Sequence, residues 1–277
     1  LVPIRDHNGP KRIDGPTLNT MTIMKGKRQS TADAYLTSKV RRRSNLKICT
    51  DVLVDRLILK DNRVTGITCL RDGKETQFTA GAGVILCAGT VATPAILMRS
   101  GFGPSELLFN VGVQPIRDFP GLGKNLQDHL LAAGNLYRSA HPIPMTRTQH
   151  SESLTYIHAK EQRKKEAPEL VVGCVTVPII SDVLLSEVNL PETFSGYTLM
   201  FGITHPRSRG CLRITSTNPN AKPSIDPRYL SSETDRKHFL QALDWARSLG
   251  QAKPYNKWRE REIMPNAEYL SNTSTKL

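Results

Sequence analysis

Nowhere in the 277 residues do 18 apolar side chains run together, so the sequence offers no membrane-spanning helix. No signal or transit segment is visible, and a cytoplasmic location is the expectation. The five cysteines, at positions 49, 69, 87, 174 and 211, form no CxxC pair, which excludes zinc ribbons and thioredoxin-type centres. Cys49, Cys87 and Cys174 sit in apolar runs and are expected in the core; a reducing compartment suits them. Acidic residues are scarce, 25 against 38 Lys and Arg, for a formal charge of +13. That balance permits contact with nucleic acid, but no helix-turn-helix, zinc-finger or RNP pattern accompanies it, so no specific nucleic-acid partner is expected. The densest basic run, Arg41-Arg42-Arg43, reads as a solvated helix end favoured by the helix dipole. GxGxxG, the usual loop for a dinucleotide pyrophosphate, is also absent: Gly81-Ala82-Gly83 and Gly101-Phe102-Gly103 do not extend into it.

What is present is organised around residues 81–104. Val84, Ile85 and Leu86 have the length and branching of a buried strand. Cys87-Ala88-Gly89 follows, small enough to let a ligand approach the backbone. Thr93-Pro94 then predicts a helix start, with Thr as N-cap and Pro in first place. Ala95 to Met98 propagate the helix, and Ser100-Gly101-Phe102-Gly103-Pro104 stops it. A strand, a tight turn and a helix is a common way to bring backbone amides to a cofactor phosphate.

The same stretch resembles the second signature of the glucose–methanol–choline (GMC) oxidoreductases, through Gly89, Thr93, Pro94, Ile96, Leu97, Ser100, Gly101 and Gly103. Phe102 departs from the pattern, conservatively. The resemblance returns at Gly26, Arg28, Ser30, Ala34, Tyr35 and Leu36, then at Asn45-Leu46. It is strong again at Phe119-Pro120-Gly121-Leu122-Gly123-Lys124-Asn125-Leu126-Gln127-Asp128-His129. A further match, His205-Pro206-Arg207-Ser208-Arg209-Gly210, opens the family's C-terminal module.

Around these motifs the chain reads as follows. Residues 1–24 are polar and turn-rich and predict an extended loop. Ser30 and Asp33 make a short capping box for a helix of about three turns. Alternation from Leu46 to Leu59, a turn at Asp61-Asn62, a strand from Val64 to Cys69, and Asp72-Gly73 before Thr76–Thr79 predict an antiparallel meander. Glu106 to Asn110 complete a short helix. Residues 161–169 are charged and read as a solvated loop, whereas 170–180 and 197–204 are β-prone, Pro178 marking an end or edge. Asp235 to Leu249 predict one long helix with a core-facing stripe of Phe239, Leu240, Leu243, Ala246 and Leu249, stopped by Gly250. Trp258 is the expected anchor of the polar C-terminal residues.

The fold class expected is α/β (α+β mixed): a Rossmann-like FAD-binding domain carrying the meander, residues 1–133, and a substrate domain with an antiparallel sheet, residues 134–277. The resemblance implies FAD as cofactor and a small-molecule alcohol as substrate, oxidised by hydride transfer to the flavin. It places the cofactor against Val54, Cys87, Ala88, Gly89, Thr93, Gly123, Asn125, Leu126, Asp128 and His129. It gives His129 a structural role and puts the catalytic histidines beyond Leu277, so no catalytic residue is assigned. With likeness dense only at 26–130 and 205–235, the chain is expected to be an internal fragment, inactive alone. An inactive structural piece and a basic nucleic-acid-contacting module are the alternatives.

Overall fold

The computed structural model describes all residues except 10–13, 146–149, 161–166, 183–184, 186–187 and 266–277. In chain order the strands are β1 (Gly15–Leu18), β2 (Ile23–Met24), β3 (Lys27–Arg28), β4 (Val52–Lys60), β5 (Arg63–Arg71), β6 (Lys74–Thr79), β7 (Phe102–Gly103) and β8 (Arg117–Asp118). They continue with β9 (Lys124–Leu126), β10 (Leu130–Ser139), β11 (Ser151–Ile157), β12 (Leu170–Val175), β13 (Gly196–Ile203), β14 (Gly210–Arg213), β15 (Ser224–Asp226) and β16 (Arg259–Met264). The helices are α1 (Thr31–Tyr35), α2 (Ser38–Arg41), α3 (Gly89–Arg99), α4 (Ser105–Asn110) and α5 (Glu233–Gly250). Contacts group the chain into two units: residues 1–29, 128–207 and 230–277 form one, and residues 30–127 and 208–229 the other. The sequence division at 133/134 thus differs from the contact division, in which the chain passes between units four times.

The first unit is built on a six-stranded antiparallel sheet ordered β1-β11-β12-β13-β10-β16. Side chains alternate across it, so Tyr197, Leu199, Phe201 and Ile203 of β13 and Leu170 and Val172 of β12 share the face that α5 covers. The helix turns small residues to the sheet, with Ala242, Ala246 and Gly250 buried. A Cβ on Gly250 would lie 2.2 Å from the Tyr137 hydroxyl, so only glycine allows the helix end this close. The predicted helix is present, but its buried stripe is rotated: Leu240 is exposed, while Asp235 and His238 are buried. Asp235 accepts the Arg207 amide at 2.7 Å, an anchor that hydrophobic spacing does not encode. The sheet also incorporates Gly15–Leu18, where a loop is predicted, and β16, for which Trp258 serves as a neighbouring core contact.

The second unit holds the predicted meander β4-β5-β6. Both its turns take left-handed backbone, Asp61-Asn62 at φ 50° and 61° and Asp72-Gly73 at φ 50° and 73°, the geometry of tight two-residue hairpins. Strand β4 starts at Val52 rather than Leu46, since residues 46–51 find no pairing partner. The Ser30–Asp33 capping box forms, but the predicted three-turn helix breaks at Leu36-Thr37 into α1 and α2. A register shift between Val54 and Arg56 turns Asp55 inward. There it meets Arg99 of α3 at 2.8 Å, both side chains buried. Ser100 adds a second tie, its hydroxyl accepting the Leu57 amide at 2.8 Å and donating to the Ile96 carbonyl at 2.6 Å. Ala95, Met98, Leu108, Val113 and Ile214 pack beneath.

Two local expectations at the organising stretch are corrected. Residues 84–86 belong to no strand, and Ile85 is 90% exposed. The helix begins at Gly89, not Thr93, and carries Pro94 inside it. Thr93 does not cap the helix; its hydroxyl accepts the Ala88 amide at 3.1 Å, folding the turn back on the helix start. Parallel pairing among the described residues is limited to β7 with β8. Glu169, assigned to a solvated loop, is buried and accepts the Ala159 amide at 3.0 Å; residues 161–166 of that loop lie outside the described residues.

Cys49 and Cys87 are exposed rather than core residues, Cys69 is buried, and all five cysteines are free. Burial pushes the Cys69 thiol up, with help from the charge on Asp55. Burial likewise raises the Cys174 thiol. A raised thiol holds less thiolate at neutral pH and reacts more slowly. Timed alkylation of the folded protein, read by mass spectrometry, is therefore expected to label Cys49 and Cys87 well before Cys69 and Cys174. Labelling of Cys69 at the rate of Cys87 would contradict the packing between β4 and β5.

Candidate functional site

The face of the six-stranded sheet opposite α5 carries a cavity of about 400 Å³, lined by apolar Leu131, Leu154, Val171 and Met200 and by the rings of His7, Tyr156, His129 and His205. Strand alternation places them there: Val171 and Met200 are the out-of-phase neighbours of the core residues Val172 and Leu199. Gly173 leaves the floor open between them. The volume lies within the range of small-molecule sites.

The polar groups of the cavity are oriented by their neighbours. Thr204 Oγ1 donates its one proton to the Pro168 carbonyl at 2.6 Å. Toward His205 Nδ1, 2.8 Å away, it can then only accept. Nδ1 of His205 therefore carries the ring proton, and Nε2 presents a lone pair. Across the cavity His7 lies on Tyr156, with ring centroids 5.6 Å apart and planes 29° from parallel. Burial raises the Tyr156 phenol, which keeps it neutral and able to donate. Among the described residues no cluster of His, Cys, Asp and Glu could hold a metal ion.

The residues proposed from sequence to meet FAD divide between the units. Val54, Cys87, Ala88, Gly89, Thr93, Gly123, Asn125 and Leu126 lie in the second, Asp128 and His129 in the first. Val54 is half-buried in β4, which packs on α3. Cys87, Ala88 and Gly89 form an exposed turn at the start of α3, where no side chain caps the helix amides. Gly89 has φ +79° and nothing within 4 Å of where a Cβ would stand. Gly123 has φ +77° and is closely packed, Leu126 pairs with Gly210 of β14, and Asn125 is exposed with φ +61°. An open glycine turn, uncapped amides and the exposed apolar edge at Ile85 suit one wall of a nucleotide cofactor site. His129 sits in the cavity. Sequence reasoning missed His7, Tyr156, Met200 and Thr204; His205 stands in a quoted motif, but nothing in the motif says that its ring enters a cavity.

Models of the GMC oxidoreductase family match residues 4–131 and 206–276. Together they take in well over half of the sequence, and the chain belongs to the GMC oxidoreductases. It is 42% identical to pyridoxine 4-oxidase of Microbacterium luteolum over 96% of this chain and 52% of that protein. It is 32% identical to an oxygen-dependent choline dehydrogenase of Yersinia pseudotuberculosis over 93% of this chain and 48% of that one. The crystal structure of pyridoxine 4-oxidase from Mesorbium loti superposes with a TM-score of 0.89 at 42% identity, covering 96% of this chain and 51% of that one. The fold is the GMC oxidoreductase fold, with its Rossmann-type part and its antiparallel substrate sheet, and that family fold implies FAD. These matches correct the expectation of an internal fragment whose likeness fades toward both ends: the family models reach from residue 4 to residue 276. The chain spans about half the length of the curated relatives it matches. No described helix is long and apolar enough to cross a membrane.

Proposed function

We propose that the protein oxidises the CH–OH group of a small-molecule alcohol to an aldehyde or ketone, with FAD as the oxidant. The observation that carries this reading is the cavity on the exposed sheet face, where an apolar floor and an oriented His205 Nε2 meet. When bound, FAD supplies the two-electron acceptor. The chain's own part is to bind and orient. His205 Nε2 accepts the hydrogen bond of the substrate hydroxyl, and Thr204 fixes the ring that makes it. Leu131, Leu154, Val171 and Met200 exclude water from the carbon to be oxidised. Within the second unit, the backbone at Val54, the Cys87-Ala88-Gly89 turn with Thr93, and Gly123, Asn125 and Leu126 would hold the cofactor. Identity to a pyridoxine 4-oxidase supports an alcohol borne on an aromatic ring.

Anaerobic mixing of the FAD-loaded protein with a panel of primary alcohols tests the reading. Loss of the visible flavin absorbance with ring-bearing alcohols is expected; retention with every alcohol would overturn it. The cofactor placement has its own test. Gly89→Val fills the open space beside the turn and is expected to lower bound flavin per protein several-fold. Gly73→Val, at a similar φ of +73° and also with open space, serves as the control for backbone strain alone. Equal flavin content in the two variants would contradict the placement.

A further inference from the structure

One buried carboxylate lines no part of the cavity and yet is tied to its edge. Pairing of β11 with β12 ends at Ile157 and Leu170, and pairing of β12 with β13 ends at Leu170 and Ile203. One residue before Leu170, the backbone turns to Thr204. The Glu169 carbonyl accepts the Thr204 amide at 2.8 Å, and the Pro168 carbonyl accepts the Thr204 hydroxyl at 2.6 Å. Toward the end of β11 the Glu169 side chain stands in for a backbone acceptor, its Oε2 taking the Ala159 amide at 3.0 Å. Ala159 is 3% exposed and Glu169 5%, so water cannot replace this bond. His158 Nδ1 lies 3.8 Å from the same oxygen, too far for a hydrogen bond. The carboxylate therefore extends the hold between the two strands past Ile157 and Leu170, and with it fixes the Pro168-Glu169 backbone.

We infer that Glu169 is a positioning residue for the alcohol chemistry: by fixing the Pro168-Glu169 backbone it keeps the Thr204 proton on the Pro168 carbonyl, and so keeps the ring proton of His205 on Nδ1. The inference rests on the alcohol-oxidation reading and deepens it by naming what holds the hydrogen-bond acceptor ready. The order of cause follows from single protons. Thr204 has one hydroxyl proton. Given to Pro168, it leaves only lone pairs for His205 Nδ1, 2.8 Å away, and Nε2 stays free to accept. With the Pro168 carbonyl out of reach, the same hydroxyl donates to Nδ1. The ring then carries its proton on Nε2 instead, with no change of net charge, and the substrate hydroxyl meets a donor where it needs an acceptor.

The test reads the histidine tautomer by ¹⁵N NMR of the FAD-loaded protein at about pH 8, where an ordinary imidazole is neutral. Seven histidines contribute, and the signal lost in His205→Asn identifies the ring in question. The wild type is expected to show Nδ1 protonated and Nε2 bare. Glu169→Met keeps the length of the buried side chain and removes the acceptor; it should move a large share of the proton to Nε2. It should also slow flavin reduction by benzyl alcohol about tenfold, as for one hydrogen bond to the reacting hydroxyl. Glu169→Gln keeps an acceptor for the Ala159 amide and should restore both the tautomer and the rate. Thermal melting confirms that each variant is folded. Should the Met variant not fold, Glu169→Asp, which draws the carboxylate back by one methylene, carries the same comparison. A folded Met or Asp variant with the wild-type tautomer, whether or not its rate falls, would overturn the inference and leave the proposed function standing. A tautomer that moves with Glu169 in a protein whose flavin no alcohol reduces would keep the link from Glu169 to His205 and overturn the function.

Discussion

Asp55→Ala is expected to destabilise the protein by about 3–5 kcal/mol, the usual cost of removing one partner of a buried ion pair. Arg99 lies with only 8% of its side chain exposed, its Nε 2.8 Å from the Asp55 carboxylate and 3.1 Å from the Asp55 carbonyl. With the carboxylate gone, the guanidinium stays buried without a counter-charge, and the carbonyl alone cannot replace it. Arg56, which also reaches Asp55 but is far more exposed, can swing toward Glu75 instead. The pair joins α3 to β4, so the loss should also loosen the Cys87-Ala88-Gly89 turn at the head of α3. Urea unfolding of wild type and variant measures the difference. Glu75→Ala supplies the contrast: its 3.1 Å bridge to Arg56 is solvent-exposed on both sides and is worth about 0–1 kcal/mol. Equal losses from the two substitutions would show that the Asp55–Arg99 pair is not buried as described.

Gly123→Ala is the second large expected effect, about 3 kcal/mol from overpacking together with a left-handed backbone. A Cβ there would stand 2.2 Å from the Leu212 carbonyl oxygen and 2.5 Å from Met98 Cε. The methionine can move; the carbonyl cannot, because the Leu212 amide donates to the Gly123 carbonyl at 2.7 Å and holds the two backbones together. Relief would have to come from parting β9 and β14. Gly121→Ala, two residues earlier in the same motif, meets nothing within 4 Å and should change stability by less than about 0.5 kcal/mol. Thermal or urea unfolding of the two variants side by side reads the contrast, and a Gly123 variant as stable as the Gly121 one would refute the packing.

The two glycines show where sequence reasoning stops. In the Pro-Gly-Leu-Gly run they look alike, and both read as places needing special backbone or close approach. Only the arrival of β14, some 90 residues later in the chain, makes one indispensable and leaves the other free. Residues 84–86 teach the same lesson. An apolar β-branched run predicts a buried strand, yet burial requires a covering partner, and among the described residues Ile85 has none. Helix α3 adds a milder case: Pro94 is its sixth residue, past the four terminal amides that lack a partner, so the helix forgoes one bond to the Thr90 carbonyl and Pro94 does not mark its start.

What the sequence by itself determined is whatever a few neighbouring residues decide. The Ser30–Asp33 box, the Asp61-Asn62 and Asp72-Gly73 turns, the meander between them, the stop at Ser100-Gly101 and the extent of α5 all follow from local backbone preference and hydrogen bonding. The family was legible for a related reason, since its motifs are contiguous. The candidate site was not. His7, Tyr156, Met200, Thr204 and His205 come from three separate stretches of the chain, residue 7, residue 156 and residues 200–205, and antiparallel pairing of β11, β12 and β13 is what turns Tyr156 and Met200 to one face. Which tautomer His205 adopts depends on a threonine committed to the Pro168 carbonyl, 36 residues away. Such facts belong to register and long-range pairing, which the tertiary structure alone decided, because a side chain's chemistry is set by the partners that folding brings to it.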